Sequence, residues 1–211
     1  NLIYVENYGK GLNITIETLD AILSHNGEFA LGKYEPHLKT KEEFLIEYEN
    51  SYQDKNVLAK IRPMTLEGCV VRISDLIAYL GRDIDDAIRL KMFKREDIPK
   101  SITEILGINT RDIVNTCIMD IINNSYDKNY IKLSPKIYQA IEELKKFNYE
   151  HIYNYSMTKE EKQKLKEKFN LLFDTYLNDL KTNNEKSPII YSYLQNMCPE
   201  YKENNTKERI V

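Results

Sequence analysis

Apolar residues along the chain recur at spacings of three and four and almost nowhere alternate, the mark of helices rather than strands. Ile16, Leu19, Ile22 and Leu23 share one face behind Thr15, a side chain suited to cap a helix, with Gly27 as the expected stop. Residues 33–61 are polar and tyrosine-rich and contain Pro36. Their one periodic patch, Phe44-Leu45-Ile46 with Tyr48, predicts a short helix between loops. Pro63 and Thr65 open the longest run, which includes RISDLIAYLGRDIDDAI at 72–88 and ends near Met92, before the charged loop KREDIP. Ser101 and Glu104 have the spacing of a capping box for a short helix closed by Gly107. Thr110 starts a helix with Ile113, Cys117 and Ile121 in register. Ser134-Pro135 is a cap and proline entry to a helix over 135–153.

Thr158 and Glu161 form a further capping box. It opens a helix that presents Leu165, Phe169, Leu172, Phe173, Tyr176 and Leu180. The polar stretch KTNNEKS precedes a last helix from Pro188 to Met197, and the end, PEYKENNTKERIV, reads as too polar to carry a core. No internal repeat is visible. The expected fold is all-α: a helical bundle with short, capped connections.

The run at 72–88 poses the functional question. At about 100° per residue, Ile73, Ile77, Leu80, Ile84 and Ile88 gather on one side. Asp75, Tyr79, Arg82, Asp83 and Asp86 gather on the other, with Arg72 beside them. Arg72 with Asp75 and Arg82 with Asp86 have the spacing of surface ion pairs, so a solvated face accounts for the pattern. A second reading stays open beside it. Asp75, Tyr79 and Asp83 stand four apart, two acceptors and an aromatic hydroxyl in a line about 12 Å long, a length that suits a nucleotide. A carboxylate is a hard ligand for Mg, Mn or Fe, but one carboxylate is not a metal site.

Composition narrows the alternatives. Net charge is -3, from 30 Lys and Arg against 33 Asp and Glu, which gives no general attraction to nucleic acid. The lysines after Thr158 alternate with glutamates, as on a solvated helix, so nucleic acid is not an expected partner. No run of about 18 apolar residues marks a membrane span. Cys69, Cys117 and Cys198 are far apart and odd in number, so neither a disulfide framework nor a zinc knuckle is expected, and a reduced, cytoplasmic setting follows. His25, His37 and His151 lie in different segments and form no HExxH pair. His25, in HNGE, reads as a structural residue at a helix end. Gly9-Lys10-Gly11 reads as a turn, and no glycine-rich phosphate loop is present. Lys60 and Arg62 read as surface residues, with contact to a triphosphate as the other possibility, and the 16 tyrosines fit core edges and subunit contacts.

GKGLNITIETLDAILSHNGE followed by RPMTLEGCVVRISDLIAYLGRDIDDAI resembles the dGTPase-like deoxynucleotide triphosphohydrolases of the HD superfamily. In that family a segment P-x-T-L-E-x-x-V-V-x-x-x-D-x-I-A-Y-x-x-x-D-x-D-D-A-I recurs, here at 63–88. The stretch SPKIYQAIEELKKFNYEHIY is similar to its C-terminal helical region, where a phrase ending F-x-x-x-x-x-Y is common. The resemblance implies residues 1–100 as the second half of an HD-type core and 101–211 as a C-terminal helical region. It implies hydrolysis of a deoxynucleoside triphosphate to deoxynucleoside and triphosphate, with a divalent metal such as Mg or Mn. Asp75 matches the last metal ligand, Tyr79 a tyrosine that packs against the substrate, and Asp83 an aspartate that accepts the 3′-hydroxyl. Arg72 is a weaker candidate for the phosphates.

The departures set further expectations. The family's histidine and histidine–aspartate pair belong upstream of Gly9, and a segment common after ERIV is absent, so the chain is expected to be part of a longer enzyme. Taken by itself it is expected to lack bound metal and turnover, beyond Asp75 to hold no catalytic group, and to form homo-oligomers only in full-length form. Arg82 stands where relatives often carry histidine. The alternatives are another HD-type nucleotide phosphohydrolase, or a helical binding and assembly module without chemistry.

Overall fold

Thr65 is the residue from which the architecture is laid out. Its hydroxyl accepts from the Gly68 amide at 3.0 Å and caps the 24-residue helix Leu66–Arg89, with Glu67 in the first turn and Arg89 in the last. In the computed structural model, which describes residues 2–25, 32–154 and 158–211, this helix is α4. It comes after α1 (Ile16–Ser24), α2 (Lys41–Gln53) and α3 (Lys55–Lys60) and precedes α5 (Lys100–Leu106), α6 (Thr110–Ser125) and α7 (Pro135–Asn148). A two-residue antiparallel ladder joins β1 (Lys33–Tyr34) to β2 (Ile131–Lys132), with Lys33 opposite Lys132. Such a ladder leaves the class unchanged. The fold is all-α.

One compact unit runs over Thr15–Tyr155. Its core is the expected apolar side of α4, Ile73, Ile77, Leu80 and Ile84, extended by Cys69 and Leu76. Ile102 and Leu106 from α5, Ile113 and Cys117 from α6, and Ile137, Ile141 and Leu144 from α7 complete it. Helix α4 packs against α1, α6 and α7. The boundary expected near residue 100 falls inside this unit, because α5 and α6 are built onto the same core. Gly81 lets α6 approach: a Cβ there would stand 3.2 Å from Thr110 Cα, and the Thr110 hydroxyl donates to the Gly81 carbonyl at 2.9 Å.

Several expectations change within this unit. The caps at Thr15, Thr65 and Ser134 are in place. Gly27 lies outside the described residues. The interior of α1 is centred on Asp20 and Ser24, while Ile22 is exposed. The single short helix expected in 33–61 is two helices, with a capping box of Thr40 and Glu43 and with Asp54 ending one and capping the next. The Ser101–Glu104 box is not used. Helix α5 starts at Lys100 after Pro99, and Gly107, at φ 103°, closes it as expected. Helix α6 starts at Thr110 as expected, and Asn109 caps it. Helix α7 ends at Asn148, and Tyr149–Tyr153 widens into a π-helical turn.

A second compact unit comprises Asn1–Ile14 and Ser156–Val211. The Gly9–Gly11 turn is present, with both glycines at positive φ, and the Cys198 amide donates to Tyr8 O at 2.7 Å. The Thr158–Glu161 box opens α8 (Lys159–Thr182). The apolar face expected of α8 is exposed at Leu165, Phe169, Leu172 and Phe173, and only Leu180 is buried. The helix expected at 188–197 is a π-helical turn, Ile189–Tyr193, followed by a 3-10 turn, Leu194–Asn196. The polar end does carry core: α9 (Pro199–Asn204) buries Tyr201 before α10 (Lys207–Ile210). No described helix is long and apolar enough to cross a membrane.

Candidate functional site

Asp75, Tyr79 and Asp83 stand at successive turns of α4, on the side away from the core. Asp75 is exposed, Tyr79 is 38% exposed and Asp83 is half-buried. The second half of α7 and the turn after it face them. The Asn148 side chain, fully buried, donates to Leu80 O at 3.1 Å and fixes the end of α7 against the middle of α4. The wide turn then brings Tyr153 round so that its hydroxyl donates to Asp83 Oδ2. His151 belongs to the scaffold: its Nδ1 bonds Phe147 O at 2.9 Å and its ring stacks on Phe147.

Between the two helices lies a cleft of about 350 Å³, lined by Tyr79, Leu80, Glu142, Lys145, Lys146, Tyr149 and Tyr153. That volume is within the range of small-molecule sites. Its walls combine three phenol rings, two ammonium groups and a carboxylate. Lys145 is joined to Glu142 at 3.1 Å. Burial raises the Tyr79 phenol, and the charges of Asp75, Asp83 and Glu142 push it the same way. Burial likewise raises Tyr153, reinforced by its bond to Asp83. Both phenols therefore stay protonated at neutral pH, and Tyr153 donates to Asp83.

The structure thus brings Tyr79 to the cleft and links Asp83 to it through Tyr153. Arg72 departs from the face expected for it. It is buried, its Nη1 donates to Ile61 O at 2.7 Å and to Ser24 O at 3.3 Å, and its guanidinium lies over the Tyr34 ring. It ties α1 and the end of α3 to α4. Arg82 and Asp86 do form the expected exposed pair, at 3.9 Å. Glu142, Lys145, Lys146 and Tyr149 carry no signal in the sequence that marks them as cleft residues. Tyr153 had a signal, as the last residue of the F-x-x-x-x-x-Y phrase that begins at Phe147.

As for a divalent cation, among the described residues no three His, Cys, Asp or Glu side chains come together that could hold one.

The chain is similar to proteins called deoxyguanosinetriphosphate triphosphohydrolase-like. That of Clostridium tetani is 36% identical over 194 residues, which cover 89% of this chain and 46% of the relative. That of Caldanaerobacter subterraneus is 37% identical over 169 residues, 80% of this chain and 40% of the relative. That of Clostridium perfringens is 32% identical over 201 residues, 93% and 48%. The chain spans 40–48% of the length of these three relatives. No family model matches it, and no solved structure does.

Proposed function

We propose that this chain, which belongs to the deoxyguanosinetriphosphate triphosphohydrolase-like family, forms one wall of a deoxynucleotide site in a protein that hydrolyses deoxynucleoside triphosphates to deoxynucleoside and triphosphate. The observation that carries this reading is the line Asp75–Tyr79–Asp83 on α4, whose middle member lines a cleft together with two lysines and two further tyrosines. A nucleotide lying along that line has its sugar at Asp83, where the carboxylate accepts the 3′-hydroxyl. Tyr153, which lines the cleft, donates to that carboxylate. Tyr79 supplies a flat apolar ring and a protonated hydroxyl midway along it. On this reading Lys145 and Lys146, which line the cleft, serve as cationic partners for phosphate oxygens.

Asp75 is the place from which this chain would contribute one ligand to a divalent cation, such as Mg or Mn. When bound, such an ion would polarise a phosphoryl oxygen and acidify a water. The other ligands would have to come from outside the described residues. The chain alone is therefore expected to bind Mn²⁺ weakly by calorimetry and to give no turnover.

In the longer protein, an Asp83→Ala change should raise KM for deoxynucleotides at least tenfold, the loss of one hydrogen bond to a charged group. Asp75→Ala should abolish hydrolysis. Product analysis decides between this reaction and another nucleotide phosphohydrolase: released inorganic triphosphate supports the reading, whereas pyrophosphate or monophosphate with wild-type KM in the Asp83 variant overturns it.

A further inference from the structure

Helix α8 is long, well capped and mostly bare. Every residue over 159–175 is exposed; Leu180, near the end, is buried, and α10 and the turn Ile189–Tyr193 pack against the helix. A helix draws most of its stability from packing an apolar face rather than from propensity. Leu165, Phe169, Leu172 and Phe173 share such a face, within a band about 100° wide, and Phe169 is 64% exposed. The charges around the band are sorted. At about 100° per residue, Lys162 stands at its N-terminal end and Lys166 and Lys168 on its two sides. None of these three has an ion-pair partner among the described residues. The glutamates are committed elsewhere. Glu160 pairs with Lys164 at 2.6 Å, Glu161 closes the capping box with Thr158, and Glu167 accepts from Gln163 at 2.8 Å on the far side.

That sorting selects among occupants. A second copy of α8, laid antiparallel across Phe169, sets these lysines against themselves. A flat membrane surface has no access along the stripe, because Leu180 continues the same face and is already covered by protein. We infer that this face of α8 is a docking surface for an acidic amphipathic helix of a partner protein. Such a helix carries an apolar stripe bordered by Asp or Glu, and lies along 165–173 beside the cover that begins at Leu180. Apolar contact supplies the affinity, and the three lysines supply the choice of partner.

Two synthetic peptides of three heptads test this, both with Leu at the a and d positions, one with Glu and the other with Lys at e and g. Fluorescence anisotropy follows their binding to the whole chain, and circular dichroism checks that each variant keeps its helix. The acidic peptide should bind at least tenfold more tightly than the basic one, and the difference should shrink at high salt. Phe169→Ser, at an exposed position, should weaken the acidic peptide at least tenfold. Lys166→Glu with Lys168→Glu should reverse the preference, so that the basic peptide binds more tightly. Binding of neither peptide, equal binding of both, or acidic binding untouched by Phe169→Ser overturns the inference. So does a chain that sediments as a dimer and falls to a monomer in Phe169→Ser, since a second copy is then the occupant. Binding to phosphatidylserine vesicles in place of the acidic peptide overturns it in favour of a membrane.

Discussion

Asp20 shows how a single side chain can carry more of the scaffold than its surroundings in the sequence suggest. Its carboxylate is fully buried, accepting from Lys39 Nζ at 2.7 Å and from the Met64 amide at 2.6 Å. Lys39 Nζ, itself enclosed, also meets Glu47 at 2.7 Å and Arg62 O at 2.6 Å. One ammonium thus joins α1, α2 and the entry to α4. Removing one partner of such a pair strands a buried charge, so Asp20→Ala should lower stability by about 3 kcal/mol, read as a fall in the urea midpoint at unchanged slope. A fall under about 1 kcal/mol would mean that Glu47 and the carbonyl suffice for Lys39. None of this is legible in the sequence. An aspartate within a helix reads as a solvent residue, and its partners lie 19 and 44 positions away. That Asp75, Tyr79 and Asp83 share the outer face of α4 is legible, because all three sit on one helix, where spacing alone fixes the face.

At the scale of elements, capping chemistry is the dependable guide. Thr15, Thr65, Ser134 and Thr158 each accept the amide hydrogen bond expected of an N-cap. The exceptions have local causes. At α5, Pro99 has already set the first turn, so Ser101 is inside the helix rather than at its edge. The α4–α6 contact depends on Gly81, and that dependence can be measured. Alanine is the better helix former by about 1 kcal/mol. Its Cβ, however, would press on Thr110, which is held by bonds to Gly81 O and Asp85 and so has little room to yield. Crowding should outweigh propensity, and Gly81→Ala should destabilise by about 1 kcal/mol or more in thermal unfolding. A higher midpoint would show that α6 shifts freely. The cleft is hidden at this scale, because its two walls come from helices roughly 60 residues apart in the chain, and only their packing reveals that they meet.

For the molecule as a whole, the buried ionisable groups give a direction for pH. Burial pushes the Cys69 thiol up to about 11, the Cys117 thiol to about 12 and the Tyr34 phenol to about 12, from ordinary values of 9.0 for the thiols and 10.0 for the phenol. All three are neutral when folded. Above about pH 9 the unfolded chain releases protons that the folded chain retains, so their contribution is fully present below about pH 9 and is lost between about pH 9 and 12. Denaturation midpoints should be flat with respect to these groups up to about pH 9 and fall beyond it, and Cys117→Ser should shallow the fall. A midpoint that rises above about pH 9 would contradict this. The class of the fold and its central helix are readable from periodicity. The division into units is not, since both ends of the chain belong to one unit and the boundary is a matter of contacts, not composition.

The wide turn at Tyr149–Tyr153 has a consequence of another kind. A π-helical turn holds one residue more than an α-helical one, and that residue rotates the downstream backbone by about 100° around the axis. Shortening the segment by one position would restore ordinary winding, swing Tyr153 off Asp83 and leave every side chain in the cleft otherwise identical. Here the length of the segment carries information that residue identities do not. A one-residue deletion, which a residue-by-residue comparison scores as a gap, would change the site more than most substitutions in it.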